Sequence, residues 1–257
     1  MKVYFIGAGP GASDLITIRG AEILARVPLV LYAGSLVPPA VLTHCRLDAE
    51  IVNSAELNLD QQMEYFQRAR SVGYDVARVH SGDPSIYGAT AEQMRRLKQL
   101  GIDYEVVPGV SSFTAAAACV KTELTKPEVS QTIILTRSDG RASVVPPEES
   151  LGKLAAHGAT MSIFLSGQYL KETITELLEH YPEETPAAIV YRATWPDERS
   201  HMSTLGRMLQ EINPVEWKLT TVLLVGQALN NETGVDSRLY AADYSHKFRN
   251  THTSREN

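Results

Sequence analysis

The sequence has little of what secreted or metal-bound folds are built from. Its two cysteines, Cys45 and Cys119, lie far apart and outside any paired spacing, so neither a disulfide framework nor a zinc knuckle can be assembled. The seven histidines form no H-x-x-x-H pair with a nearby carboxylate, and no protein-bound metal is expected. His44 sits beside Cys45, but adjacent residues point apart on a helix or a strand. No apolar run approaches the roughly 20 residues that span a bilayer. The N-terminus runs straight from Met1 into a strand-like stretch and then glycines, where a signal peptide would need a longer apolar region and a small-residue cleavage site. A cytoplasmic protein without a membrane partner is expected. Positive charge is also short: 24 Lys and Arg stand against 30 Asp and Glu, for a net charge of −6. That argues against nucleic acid as the main partner, because phosphate binding needs a basic surface. An acidic small substrate remains compatible if a few arginines are placed locally.

What is present reads as an α/β protein. Apolar residues make up 44% and charged residues 21%, ordinary for a soluble globular chain, and the length suits two α/β lobes. In the first half, strands are predicted at Val3–Ile6, Leu29–Tyr32, Val76–His80 and Tyr104–Val107. Helices are predicted over Leu15–Val27 behind Ser13 or Asp14, and over Gln61–Val72 behind Asp60 with Gly73 as its stop. Another is predicted behind the capping-box spacing Thr90-Ala91-Glu92-Gln93, and an alanine-rich one runs to Cys119. The second half offers strands at Thr132–Thr136, Met161–Leu165, Ala188–Tyr191 and Val222–Val225. Its helices are predicted at Glu148–Ala156, Tyr169–Glu179 and Thr204–Ile212. Apolar strands alternating with amphipathic helices imply parallel, helix-covered sheets. Periodicity lapses over Lys121–Val129, around Pro127, which sets lobes at residues 1–120 and 121–230. Residues 231–257 are polar and read as a poorly ordered tail.

Three strand-to-helix junctions carry the chemistry. Gly7-Ala8-Gly9-Pro10-Gly11-Ala12 formally matches the dinucleotide fingerprint G-x-G-x-x-G/A. That fingerprint also needs a carboxylate about 20 positions on, at the end of the second strand. Here the second strand ends in Tyr32-Ala33-Gly34-Ser35, without one. Pro10 further removes an N–H from a loop that would donate such groups to pyrophosphate. The second junction is Ser81-Gly82-Asp83-Pro84-Ser85-Ile86-Tyr87-Gly88, in which Gly82 permits close backbone approach and Asp83 can accept hydrogen bonds. Asp-Pro is also a common turn starter, so a purely structural loop is the bland alternative. The third is Val107-Pro108-Gly109-Val110-Ser111-Ser112. Three small, polar loops at one edge of a parallel sheet describe a crevice for a small ligand.

In order and spacing, these three loops resemble the tetrapyrrole methylase family over nearly the whole chain, Val3 to about Leu229. The resemblance implies two α/β domains with S-adenosylmethionine in the cleft between them, S-adenosylhomocysteine as product, a tetrapyrrole substrate, and a homodimer. Two more stretches resemble the branch that methylates C11 of precorrin-4: Leu31-Tyr32-Ala33-Gly34-Ser35-Leu36-Val37 and Tyr191-Arg192-Ala193-Thr194-Trp195-Pro196-Asp197-Glu198. The uroporphyrinogen branch usually has arginine directly after the glycine matching Gly88, where this chain has Ala89. Carried over residue by residue, the resemblance implies cofactor contacts at Pro10, Ser81, Gly82, Asp83, Ile86, Ser111 and Ser112. In the second half it implies Leu165, Ser166, Tyr191, Arg192, Ala193, Thr220 and Thr221.

Methyl transfer to carbon is an in-line displacement at the sulfonium methyl. Alignment at about 3–3.5 Å can account for roughly 7–11 kcal/mol of such a barrier. A proton must also leave the substrate, and Asp83, Glu92 and Tyr87 are the candidates to accept it. Arg137, Arg141 and Arg192 are candidate partners for substrate carboxylates. Three alternatives stay open at this point: a precorrin methylase of different regiochemistry, a diphthine-type methylase acting on a protein, and a non-catalytic tetrapyrrole or cofactor-binding protein.

Overall fold

The structure is a computed structural model that describes residues 1–138, 145–165, 169–217, 219–232, 234–241, 244–245 and 247–249. The chain divides into two compact units. One comprises Met1–Cys119 with Val190–Ser200, the other Val120–Ile189 with His201–Asn257. The excursion of Val190–Ser200 into the first unit has no counterpart in a reading that takes the lobes as contiguous.

The first unit alternates β1 (Lys2–Gly7), α1 (Ile18–Leu24), β2 (Leu29–Tyr32), β3 (Glu50–Asn53), α2 (Leu59–Val72), β4 (Val76–His80), α3 (Thr90–Gln99), β5 (Asp103–Val107) and α4 (Ser112–Cys119). Its sheet has the order β3-β2-β4-β1-β5, with every pair parallel. The pleat of β1 sorts its side chains onto two faces. Tyr4 and Ile6 join Ile23 and Leu24 of α1, while Val3 and Phe5 join Met63 and Phe66 of α2 and Leu97 of α3. Burying each such large side chain stabilises the fold by about 1.5–3 kcal/mol. The chain leaves β1 past β4 to reach β2, and leaves β4 past β1 to reach β5, with α1 and α3 on opposite faces. The β1–β4 boundary is therefore a topological switch point, and in such sheets a crevice opens outside the carboxyl ends of the two strands.

The second unit holds β6 (Ile133–Arg137), α5 (Leu151–Ala155), β7 (Thr160–Leu165), α6 (Leu170–Leu177), β8 (Pro186–Tyr191), β9 (Arg199–Thr204), α7 (Leu205–Glu211) and β10 (Thr221–Val225), and the ends of β8 and β9 cluster with the first unit. Sheet order is β6-β7-β10-β8-β9. β6 and β7 are parallel, but β7 and β10 are antiparallel, which corrects the expectation of a wholly parallel sheet. A fully buried run such as Thr221–Val225 reads the same in either direction, so its apolar pattern cannot reveal strand polarity.

Other differences have local causes. Thr17, not Ser13 or Asp14, caps α1 by accepting from the Gly20 N–H at 3.1 Å. Asn58 caps α2, forming a capping box with Gln61. The expected box at Thr90 is absent: Ala89 occupies the cap, and Thr90 instead donates to the Pro84 carbonyl at 3.2 Å. β3 and β9 escaped the sequence reading because both are edge strands with mostly exposed or half-exposed residues and no apolar alternation. Within residues 231–257, the described part holds one short 3₁₀ helix at Arg238–Tyr240, and Arg249 donates to the carbonyls of Leu239, Ala241 and Tyr244.

Candidate functional site

At the switch point the three junctions are packed backbone against backbone. A Cβ on Gly7 would lie 2.5 Å from the Gly82 carbonyl oxygen, and one on Gly109 would lie 2.2 Å from the same oxygen. These two positions need glycine because the chains touch. Gly82 needs it for another reason, its φ of +62°; a Cβ there would meet only ordinary contacts, the nearest at 3.7 Å. Gly9 and Gly82 form an antiparallel bridge: the Gly82 N–H donates to the Gly9 carbonyl at 2.8 Å, and the Gly9 N–H to the Gly82 carbonyl at 3.3 Å.

The donors of the first loop are largely spent inside the protein. Ala8 N–H goes to the His80 carbonyl, Gly9 N–H to Gly82, and Ala12 N–H to the Thr194 hydroxyl at 2.9 Å, while Pro10 has none. Helix α1 begins only at Ile18, six positions beyond the loop, so the loop does not run directly into a helix N-terminus. A pyrophosphate cradle needs several free N–H groups and a helix N-terminus together, whereas this loop leaves only the Gly11 N–H without a partner among the described residues and stops six positions short of the helix. Its geometry suits a ligand without phosphates, met by carbonyls and hydroxyls.

The side chains that hold this loop come from far along the chain. Trp195 donates its indole N–H to the Pro10 carbonyl at 2.9 Å, and its ring leaves no room for a side chain on Gly11, whose Cβ would be 2.2 Å from Trp195 Cδ1. The Arg192 guanidinium lies 4.8 Å from the Trp195 ring centroid and 5.4 Å from that of Tyr191. It also pairs with Asp197 at 2.8 Å. Arg192 and Thr194 both have left-handed backbones, φ 48° and 70°, and the Thr194 N–H is held by the Glu198 carboxylate. Sequence reasoning singled out the Tyr191–Glu198 stretch but gave no role to Thr194 or Trp195, because their partners lie about 180 residues away.

The second loop is tied by its own residues and immediate neighbours. Asp83 accepts from the Ser85 N–H at 2.8 Å and the Ser85 hydroxyl through Oδ1, and from the Gly109 N–H at 2.9 Å through Oδ2. Partial burial raises its pKa, but the hydrogen bonds from Ser85 and Gly109 outweigh that and hold the carboxyl below its ordinary value. Both oxygens are thus engaged, and a carboxylate so stabilised is a weak proton acceptor. Tyr87 and Ala89 carry left-handed backbones, φ 52° and 48°, around Gly88, whose Cβ would meet the Pro84 carbonyl at 2.3 Å. Tyr87 is half exposed. Glu92 is exposed in the first turn of α3.

Beneath this loop lie two buried polar residues that the sequence reading passed over, Arg78 and His80 on β4. Burial brings the Arg78 pKa down to about 10, and its guanidinium donates to Gln93 at 3.1 Å and to the Val79 carbonyl at 3.3 Å. Burial, and then the neighbouring Arg78 charge, push His80 down to about 3, against a weaker opposing hydrogen bond to the backbone of Gly88. His80 is therefore a neutral strut, with Nε2 buried and unpartnered among the described residues. The signal was available: Arg and His alternating with apolar residues in a central strand must be buried and so must be doing something specific.

Ile86 closes a turn onto the Asp83 carbonyl. Ser111 is buried and Ser112 begins α4. Ser81 and Tyr191 are half buried and Ala193 is buried. The first unit thereby brings Pro10, Ser81, Gly82, Asp83 and the Gly109–Ser112 junction to one edge. In the second unit, Leu165 and Thr221 are register partners across β7 and β10, and Thr220 precedes them with φ 60°. Ser166 and Arg141 lie outside the described residues. Arg137 lines a cavity of about 170 Å³ with Ser138, Tyr169, Glu172, Thr173 and Glu176, well short of the roughly 300–1,000 Å³ of ordinary ligand pockets. Among the described residues no cluster of metal-ligating side chains occurs and no helix is long and apolar enough to cross a membrane.

A family model for tetrapyrrole (corrin/porphyrin) methylases matches residues 2–209. The chain belongs to that family. Among tetrapyrrole methylases it is 49% identical to the precorrin-4 C(11)-methyltransferase of Pseudomonas aeruginosa, over 97% of this chain and 99% of that one. It is 44% identical to the cobalt-precorrin-4 C(11)-methyltransferase of Methanocaldococcus jannaschii, over 98% and 97%. A solved cobalamin biosynthetic enzyme, a cobalt precorrin-4 methyltransferase, superposes with a TM-score of 0.85 at 41% identity, over 89% of this chain and 96% of that one. Two α/β lobes of the tetrapyrrole methylase type are therefore the fold of this chain.

Proposed function

We propose that this methylase transfers the methyl group of S-adenosylmethionine to C11 of precorrin-4 or of its cobalt form, giving the corresponding precorrin-5 and S-adenosylhomocysteine. The observation that carries the proposal is the 49% identity, across nearly both full lengths, to a precorrin-4 C(11)-methyltransferase. The site supports it chemically. The donor offers a sulfonium and an adenosine but no phosphate, and the first loop has spent most of its N–H groups while the switch-point edge presents carbonyls and hydroxyls. Relatives named for the metal-free and the cobalt substrate match over comparable shares, so the proposal covers both ring forms. Any cobalt belongs to the substrate.

The proposed cofactor contacts in the first unit are Pro10, Ser81, Gly82, Asp83, Ile86, Ser111, Ser112, Tyr191, Arg192 and Ala193. Those in the second are Leu165, Ser166, Thr220 and Thr221. When bound, the donor supplies an activated methyl, and the protein's part is to align it with a nucleophilic ring carbon. That carbon attacks the methyl, the carbon–sulfur bond breaks, and the substrate loses a proton. Asp83 is occupied as a loop tie, so Glu92 and Tyr87 are the proton acceptors to test. Arg192, already paired with Asp197, presents its remaining donors to a substrate carboxylate, with Arg137 and Arg141 as further candidates. A homodimer in the cytoplasm, without nucleic acid or membrane as partner, completes the proposal.

The test is turnover. Purified protein given S-adenosylmethionine and precorrin-4, or cobalt-precorrin-4, should yield a product heavier by one methyl group, with inhibition by S-adenosylhomocysteine. Saturable binding of both ligands without methyl transfer would leave the alternative of a binding protein in possession.

A further inference from the structure

We infer that Thr194 and Trp195 are positioning residues for the cofactor, acting through the backbone of the Gly7–Ala12 loop. The inference rests on the proposal above that this loop lines the cofactor site, and adds residues not among the expected contacts. Two side chains reach the loop from the Tyr191–Glu198 stretch. The Trp195 indole N–H fixes the Pro10 carbonyl, and the Thr194 hydroxyl receives the Ala12 N–H, both at 2.9 Å. Between these anchors Gly11 is pressed against the indole so closely that no side chain fits. The loop cannot fix itself: Pro10 has no N–H, and the bridge to Gly82 ends at Gly9.

The clamp is itself braced. Left-handed backbones at Arg192 and Thr194 are strained for residues that carry a Cβ, and persist only where surroundings over-determine them. Here the surroundings are the Arg192–Asp197 ion pair, the Arg192 guanidinium on the indole face, and the Glu198 carboxylate on the Thr194 N–H. The Pro10 carbonyl is thereby aimed by a residue 185 positions away. The same stretch that resembles the C11 branch thus also sets the loop expected to hold the methyl donor.

Calorimetric titration of the full chain with S-adenosylhomocysteine separates the possibilities. Trp195→Phe keeps the ring and removes the donor; Thr194→Val removes the acceptor, and Thr194→Ser restores it. Losing one hydrogen bond should weaken binding by about fivefold in Trp195→Phe and about tenfold in Thr194→Val, where the Ala12 N–H is left unsatisfied. Thr194→Ser should return to within about twofold of wild type, and KM for the donor should rise while kcat at saturation stays. The chain has two tryptophans, Trp195 and Trp217, so a saturable change in tryptophan emission on adding S-adenosylhomocysteine should occur in wild type and vanish in Trp195→Phe. If wild type binds and both variants bind equally well, losing only thermal stability, the clamp is structural and the inference fails. If wild type itself does not bind, the cofactor assignment fails with it.

Discussion

The Gly7–Ala12 and Ser81–Gly88 loops sit side by side at the same sheet edge, yet they are held by opposite means. Beyond the Gly9–Gly82 bridge that the two share, the second is secured within 26 positions: Asp83 by Ser85 and Gly109, Thr90 by Pro84, and the Gly88 backbone by His80 from the strand below. The first is secured from a distance, by uncharged donors and acceptors on Thr194 and Trp195. A loop tied by its own neighbourhood can be read from local sequence. A loop tied across 180 residues cannot, although it occupies an equivalent place in the fold.

Acid should separate the two most strongly. His80 stays neutral in the fold, with its pKa near 3 against an ordinary 6.5, whereas in the unfolded chain it takes up a proton. Its contribution is complete above about 6.5 and is lost as pH falls toward 3, at up to about 1.4 kcal/mol per pH unit. Urea unfolding between pH 7 and 4 should show this slope in wild type, and a flatter one in His80→Phe. An unchanged slope would mean that the buried histidine is not the strut described. The Thr194 and Trp195 bonds to the loop are uncharged, and only their braces, the Glu198 and Asp197 carboxylates, can bring in a pH dependence.

Backbone contact is the next largest effect. Gly109→Ala forces a Cβ against the Gly82 carbonyl and should cost about 3 kcal/mol, the upper end for overpacking between groups that cannot yield. Gly73→Ala has nothing within 4 Å and pays only for its left-handed backbone, about 1–2 kcal/mol. Equal losses in chemical denaturation would remove the argument that the three junctions meet backbone to backbone. Asp83→Asn follows, at about 2 kcal/mol for charge-assisted bonds to Ser85 and Gly109. The Asp83 carboxyl is held below its ordinary 3.8, so its contribution is present above that value and declines only as pH falls through the lower folded value. That leaves the higher window to His80. Smallest is Asp197→Asn: the Arg192 pair is partly exposed, and such pairs contribute under about 1 kcal/mol. A thermal shift larger than that would make the Arg192 brace more important than its exposure implies.

Much of the fold was open to sequence reasoning, because strands such as Val3–Ile6 and Leu29–Tyr32 are apolar runs bounded by glycine, proline or polar turns. The edge strands Glu50–Asn53 and Arg199–Thr204 were not, since half-exposed polar strands carry no alternation, and neither was the polarity of Thr221–Val225. At the site, the absence of a ribose carboxylate and the presence of Pro10 already pointed away from a dinucleotide. The structure adds the stronger reason, that most of the loop's own N–H groups, those of Ala8, Gly9 and Ala12, are consumed. Asp83 looked like a base from its motif, and three hydrogen bonds to Ser85 and Gly109 explain why an aspartate–proline turn belongs there instead. Thr194 and Trp195 stood inside a stretch already marked as informative, but no spacing rule can pair them with Pro10 and Ala12.

The most direct test of the proposed activity is where the new methyl lands. S-Adenosylmethionine labelled with carbon-13 in its methyl group should be incubated with precorrin-4 or cobalt-precorrin-4, and the isolated product analysed by NMR. Label on C11 is the predicted result. Label on C17, C20 or C2 would keep this chain among the tetrapyrrole methylases but contradict its place in the C11 branch.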